Sequence, residues 1–562
     1  MASYPASDEK QSQFAQPSSE KGETEAQTYD LEEPNRKDVG HESGALHRSM
    51  KSRHIQMISI GGVIGTGLFL GTAQSLANGG PLGLVMGFLV MGTILINVMA
   101  SLGEMVSHLP IAGGHITLAG RFVDSSLALT MGYNYFYNWS IVLPTELSAS
   151  AILMNYWTKS VNNAVWIGLF LIIVALINLG GARFYAEFEF WFASIKVVTI
   201  VGLIILGLIL NAGGGPDHDP IGSRYWREPG PFVQYLGIKG VLGRFLGFWS
   251  VLIQAAFSCT GTEITAMTAA EAKNPKKSLP RAIKGVAVRI ALFYILGVLV
   301  IGLLVPSNNP RLNLNSHDAT SSPFVIAIEK SGIKSLPSII NAALLSSAWS
   351  AASSNMYTSS RALYALAIAG NAPAIFKRTN RWGLPWVCLL VSFSCGFLAF
   401  MSLGSGGAGL VFKWLSTMAS STGLLTWVGI LITYLRFDAG VKAQNINRDQ
   451  FPYKSYVRSA GAVYGLLMCC LILLFNSPSV FIKGHWDTAT FITGYLPTLM
   501  AIATYTMSKL NRKRKGARTA IVGVHEMDFF TDSRDEARDG PDDDDNSNGE
   551  KKSIEERFKE WF

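Results

Sequence analysis

Gly61-Gly62-Val63-Ile64-Gly65-Thr66-Gly67 places four glycines in seven residues, inside a largely apolar stretch from about Arg53 to Leu76. Each glycine weakens a helix by about 1 kcal/mol relative to alanine. In lipid, backbone groups freed by a helix break are tolerated only where protein or a water-filled cavity surrounds them. A break here would expose N–H groups that can receive a carboxylate, as a helix N-terminus does. The same small residues would equally suit close packing against a neighbouring helix. A nucleotide-binding loop is the weakest reading, because no strand precedes these residues and no Gly-Lys-Ser/Thr follows them.

A second stretch bears on that choice. Phe257-Ser258-Cys259-Thr260-Gly261-Thr262-Glu263 combines a break with an acid deep in the sixth apolar segment. Paired interruptions at corresponding positions of two repeats point to an inverted-repeat transporter that binds its substrate near the midplane. The pairing favours the broken-helix reading over simple packing.

The composition agrees. Of 562 residues, 49% are hydrophobic and only 15% charged, where a soluble protein carries about a quarter charged. Windows such as Val165–Leu179 and Val197–Leu210 contain no charged residue. A spanning helix needs roughly 20 mostly apolar residues. Further spans are expected near 82–106, 126–157, 165–181, 188–210, 242–270, 286–305, 337–369, 384–403, 409–435, 461–475 and 486–507. With the first, that makes about 12 transmembrane helices in an all-α membrane protein.

The formal charge of +8 does not point to nucleic acid, because the basic residues lie in short loops rather than in a polar domain. Lys51 and Arg53 precede the first span. Lys273, Lys276, Lys277, Arg281 and Lys284 follow the sixth, and Lys377, Arg378 and Arg381 the eighth. Arg436, Lys442, Arg448, Lys454 and Arg458 follow the tenth, and Arg512 to Lys515 the twelfth. An even number of spans puts all of them on one side, the cytoplasmic one, with both termini inside. Residues 1–50 are polar and read as a disordered cytoplasmic tail, 51–508 as the transmembrane domain, and 509–562 as a mobile, charged C-terminal tail. No cleavable signal peptide opens the chain.

Ionisable groups within spans cost about 2.5–3.5 kcal/mol on insertion scales, so each needs a reason. Glu146, Lys196 and Glu263 read as proton-relay or gating groups. Glu104 and Lys413, near span ends, read as snorkelling or loop-pairing groups. Five cysteines, all in apolar segments, read as small buried hydrophobes. No metal or cofactor is expected, and no nucleophile motif suggests an enzyme. Asn138-Trp139-Ser140 matches a glycosylation pattern but falls inside a span. Tyr133, Tyr135, Tyr137 and Trp139 read as packing or interface aromatics.

Ile60 to Phe69 resembles the first-helix signature of fungal amino-acid permeases, in the amino acid–polyamine–organocation superfamily. Ser101-Leu102-Gly103-Glu104-Met105, Gly132-Tyr133-Asn134-Tyr135, and Glu189-Phe190-Trp191-Phe192-Ala193-Ser194-Ile195-Lys196 are similar to later signatures of that family. So are Gly261-Thr262-Glu263, Glu271 to Pro275, and Ser359 to Leu366, so that the ordered match runs from about residue 48 to 508. The resemblance implies a five-plus-five inverted-repeat fold with two extra C-terminal helices. It implies a substrate carboxylate at the backbone of Gly65, Thr66 and Gly67. The substrate ammonium is implied at carbonyls near Val63, Phe257 and Thr260, within a site that includes Ser258 and Gly261, with Phe257 as an aromatic gate. Lys196 matches a lysine that takes the place of a sodium ion in proton-driven relatives. Cys259 departs from the aromatic residue of many fungal members, which bears on selectivity.

The expected function is therefore import of amino acids, of broad or neutral specificity, by proton symport across the plasma membrane. A sensor that binds amino acid without moving it is the alternative; an N-terminal tail of about 50 residues favours the carrier. Lys10 and Lys21 are expected sites of tail modification, with ubiquitin-ligase adaptors as partners.

Overall fold

The computed structural model describes residues 65–531, apart from 110, 112, 159, 265–282, 313–321, 381, 382, 405 and 406. Val63, Lys10, Lys21 and the basic cluster Lys273–Arg281 lie outside the described residues, as does most of the charged C-terminal tail.

Among the described residues there is no strand, and a helix stands in the described part of each expected span. The first half contains α1 (Gly67–His108), α2 (Gly114–Phe122), α3 (Ser125–Met154), α4 (Asn163–Leu179), α5 (Gly181–Asn211) and α6 (Val241–Cys259). The second contains α7 (Ile283–Leu304), α8 (Pro323–Lys330), α9 (Leu336–Ile368), α10 (Trp386–Leu403) and α11 (Gly407–Ala443). Two further helices, α12 (Arg458–Leu474) and α13 (Thr488–Arg514), complete it.

The first two expected spans run together as α1 through a kink where Gly80 has φ +76°. Pro81 follows and cannot donate a backbone hydrogen bond. The next amide, Leu82 N–H, donates to the Pro231 carbonyl at 3.0 Å. The Gly- and Pro-rich loop 211–239 thus closes the gap that the kink opens.

Among the described residues, 6 helices are by length and composition apolar enough to cross a membrane: α1, α5, α6, α7, α10 and α11. The apolar α4 and α12 are shorter. The long helices α3 and α9 miss the criterion because they lie in the centre of the bundle, packed on each other. Their neighbours shield them from lipid, so they can carry polar residues. The Ser-rich face of α9 (Ser347, Ser350, Ser353, Ser354) is buried, and such small residues let helices approach closely.

Polar cross-links fix the register. Asn178 Nδ2 on α4 donates to the Ser353 carbonyl at 3.2 Å, and Asn134 Nδ2 on α3 donates to the Thr422 carbonyl of α11 at 2.9 Å. The outer faces are the reverse. Val165, Leu169, Ile172, Leu176 and Leu179 on α4 are all exposed at alternating intervals of four and three residues. That is one apolar helical stripe turned outward, as lipid requires.

One expectation changes. The segment after α13 does not leave the bundle directly. Val522 N–H donates to the Val123 carbonyl at 2.9 Å, and Gln444 Nε2 donates to the carbonyls of Val524 and Met527 at 2.9 and 2.8 Å. Phe529 is fully buried, its ring 5.1 Å from that of Phe122 and 5.4 Å from that of Phe437. Met527 and Phe529 give an otherwise charged tail an apolar anchor, and burying such a side chain contributes about 1.5–3 kcal/mol.

Candidate substrate site

The two glycine-marked stretches meet. The described part of α1 opens on Gly65 and on Thr66, already helical at φ −65° and ψ −16°, with Gly67 next and no side chain of its own capping this end. α6 stops at Cys259; Thr260 turns extended (ψ 142°) and Gly261 takes φ +96°. At that φ a side chain is strained, and a Cβ would also stand only 2.8 Å from Trp139 Cη2. A Cβ on Gly67 would stand 2.9 Å from Ser258 Cα. The start of one helix therefore lies against the end of the other.

Between them is a cavity of about 30 Å³, about the room of two or three water molecules. Gly65 and Gly67 border it from α1, and Phe257, Ser258 and Thr260 from α6. Trp139, Val142 and Glu146 of α3 and Ala351 and Asn355 of α9 close the rest. Glu146 comes closest to the helix start: its Oε1 is 2.8 Å from the Cβ position of Gly65. Its other oxygen, Oε2, has no hydrogen-bond partner, and neither do Asn355 Nδ2 and Trp139 Nε1. Trp139 is thus part of the cavity wall, beyond the packing role expected of it. Cys259 is buried in the apolar core and does not border the cavity.

Of the three ionisable residues expected to relay protons or gate, Glu146 and Lys196 lie near each other and Glu263 stands apart. Lys196 lies behind the cavity, near enough to act electrostatically on Glu146. Its Nζ is 3.5 Å from Glu189 Oε1, with both side chains fully buried. Glu189 Oε2 accepts from Ser350 Oγ at 2.6 Å and from Ser354 Oγ at 3.0 Å, which ties α5 to α9.

Glu263 belongs to another cluster. Its Oε2 accepts from Gly261 N–H at 3.2 Å and from Trp427 Nε1 at 3.4 Å. Arg289 acts on it electrostatically and donates to Thr262 Oγ1 at 3.1 Å. Glu263 braces the helix break from outside the cavity.

Sequence reasoning passed over Glu189 and Arg289. Both carried a signal: Arg289 is a charge inside the apolar run 286–305, and Glu189 stands seven residues, two helical turns, before Lys196.

Glu104 pairs with a loop, as expected. It accepts from Tyr434 Oη at 2.5 Å and from Ser455 N–H at 3.1 Å, with Arg448 Nη1 3.5 Å away. Lys413 faces Asp487, the residue that caps α13.

An all-helical bundle with an apolar exterior and a polar cavity between α1 and the broken end of α6 is that of a membrane carrier. The family model described as amino acid permease matches residues 54–521, and the chain belongs to that family. A dicarboxylic amino acid permease of Saccharomyces cerevisiae is 41% identical over 88% of this chain and 82% of its own length. A proline-specific permease of Emericella nidulans is 39% identical over 87% of this chain and 89% of its own. A lysine-specific permease of S. cerevisiae is 38% identical over 88% and 80%. Among solved structures, the Eremococcus coleocola manganese transporter shares the fold, with a TM-score of 0.51 at 12% identity over 82% of this chain and 94% of its own. The protein is a membrane-embedded permease that carries amino acids across the bilayer.

Proposed function

We propose that this permease imports neutral amino acids, with broad specificity, together with a proton, across the plasma membrane. The observation that carries the reading is the meeting of Gly65 and Gly67 with the break at the end of α6 around a buried acid, with a buried lysine behind it. The amides at Gly65, Thr66 and Gly67 receive the substrate carboxylate, since a helix N-terminus favours an anion. Carbonyls at Phe257 and Thr260, where α6 ends, receive the ammonium group, and Phe257 closes over the substrate. Glu146 and Lys196 exchange the proton.

An amino acid is larger than the cavity, so α1 and α6 must part to admit it. That requirement supports alternating access. Neutral side chains are supported by the lining: Glu146 is its sole charged residue, and it is committed to the helix start. The likeness to a dicarboxylic amino acid permease favours acidic substrates as a second reading. Arg121, Arg436, Lys442, Arg448 and the cluster Arg512–Lys515 gather at the ends of helices that share one face, which supports a cytoplasmic placement of that face and of both termini. Modification of the N-terminal lysines Lys10 and Lys21 through ubiquitin-ligase adaptors would then act from the cytoplasm.

The test is uptake of labelled amino acids, neutral, acidic and basic, into proteoliposomes with and without a pH gradient, and into permease-deficient yeast. Concentrative uptake of several neutral amino acids, driven by the gradient, is expected. Preference for glutamate and aspartate would replace the substrate assignment, and insensitivity to the gradient would remove proton coupling. Ligand binding without uptake of any amino acid would make the protein a sensor.

A further inference from the structure

The buried charges do not balance equally everywhere. Glu263 has Arg289 for company, and at the end of the bundle Glu104 and Asp438 are met by Arg448 and Lys442. Behind the cavity, two acids share one base. Glu146 on α3 and Glu189 on α5 are both buried, and Lys196 lies within reach of each. Glu146 Oε2, Glu189 Oε1 and Lys196 Nζ all lack a hydrogen-bond partner.

Among the described residues, the groups seen to bond to Glu189 besides Lys196 add no charge. Facing Glu189 are Tyr185 on its own helix and Ser350 and Ser354 on α9, all neutral groups. α4 carries no charged residue, and neither does the part of α7 that packs on α5, Leu296–Leu304. On α8, Glu329 bonds to Arg311 and Lys330 to Tyr225. Arg361, further along α9, is half-buried, lies over the ring of Tyr357, 3.2 Å from its centroid, and acts electrostatically on Tyr185, while Lys196 alone forms an ion pair with Glu189 among the described residues. With both acids ionised and the lysine charged, the group carries one net negative charge in a low-dielectric interior, which costs several kcal/mol.

We propose that Glu189 is the second acid of the proton-carrying group, and that Glu146, Lys196 and Glu189 together hold one exchangeable proton. The proposal rests on the proton-coupled reading above and assigns it a stoichiometry. A proton from outside adds to a carboxylate oxygen and makes the group neutral. On the inner side that O–H bond breaks, the proton leaves to water, and the carboxylate is restored. A neutral zwitterionic substrate adds no net charge, so each cycle carries one positive charge inward. Ser350 and Ser354 hold Glu189 in place, so the proton's position is coupled to the contact between α5 and α9.

Charge counting makes the test sharp. In Glu189→Gln, Glu146 and Lys196 balance without an added proton, so the carrier should run uncoupled. Purified full-length protein in proteoliposomes is assayed for accumulation of a neutral amino acid under a pH gradient, for proton movement per substrate, and for exchange of labelled against unlabelled substrate. Wild type is expected to accumulate substrate with one proton each. Glu189→Gln should exchange within about threefold of wild type, yet accumulate no further than equal concentrations and move no protons. Glu189→Asp should keep the coupling with a shifted pH profile.

Wild-type accumulation by Glu189→Gln would overturn the role of Glu189 and leave the proton-coupled reading standing. Wild-type transport that ignores the pH gradient would overturn both. Loss of exchange in Glu189→Gln would make Glu189 a packing counter-ion of Lys196 and overturn the assignment.

Discussion

Gly67 and Ser258 touch through their backbones: a Cβ on Gly67 would stand 2.9 Å from Ser258 Cα and 3.0 Å from a ring carbon of Phe257. Two residues 191 positions apart in sequence thereby join α1 to the broken end of α6. Backbone cannot step aside as a flexible side chain can. Gly67→Ala should cost about 1–3 kcal/mol of overpacking, felt where α1 and α6 must part and close. Uptake normalised to surface protein should fall roughly 10- to 100-fold. Gly202→Ala, where a Cβ meets nothing within 4 Å, is the matched control. Equal uptake by the two variants would deny the contact a part in transport.

Gly65 differs from Gly67 because its close neighbour can move. The atom nearest its Cβ position is Glu146 Oε1, at 2.8 Å, the far end of a flexible side chain. Gly65→Ala should therefore be tolerated by the fold but should push the carboxylate off the helix start, raising KM several-fold. Glu146→Asp is shorter by one methylene and removes the clash. The double variant should lose less than the sum of its singles, a coupling on the order of 1 kcal/mol. Strict additivity in uptake kinetics would show that Glu146 does not act at Gly65.

Much of this site was legible because its chemistry breaks local rules. Gly261 ahead of a buried acid contradicts a stable spanning helix, so it marked the interruption of α6 in advance, and the glycines at 65 and 67 marked where α1 comes close to it. What could not be read was which helices abut. Glu189 meets Ser350 and Ser354 more than 160 residues away, and that Glu263 pairs with Arg289 while Lys196 pairs with Glu189 is set by helix packing. α3 and α9 carry polar residues for the same reason: shielding by other helices is a tertiary fact. The burial of Phe529 was hidden because its neighbours in sequence are charged, and composition averages over a single anchoring ring.

His115 supplies a pH-dependent prediction outside the spanning segments. It is fully buried on α2, edge-on to Tyr135 at 5.4 Å, with neither ring nitrogen hydrogen-bonded. Burial lowers its pKa from 6.5 to about 4. The folded protein holds it neutral, so its contribution is intact above pH 6.5 and is lost as pH falls toward 4. The loss is on the order of 3 kcal/mol when complete. The unfolding temperature of detergent-purified protein should drop more between pH 6.5 and 4.5 for wild type than for His115→Leu. Parallel pH curves would show that His115 is free to protonate in the folded state.

The docked segment after α13 yields the last prediction. Phe529 fills a pocket between Phe122 at the end of α2 and Phe437 near the end of α11, and a Cβ on Gly440 would stand 2.9 Å from its ring. Phe530, its neighbour, is 67% exposed, so the two phenylalanines differ in burial and not in composition. Phe529→Ala should cost about 3–5 kcal/mol locally, where Phe530→Ala should cost almost nothing. Because Gln444 and Arg436 donate to carbonyls of the same segment, losing the ring should release residues 522–531 as a unit. Limited proteolysis should then cut Phe529→Ala within that segment much faster than wild type or Phe530→Ala, and its unfolding temperature should be several degrees lower. Equal cleavage of the two variants would mean that the backbone hydrogen bonds, without the buried ring, suffice to hold the segment against the bundle.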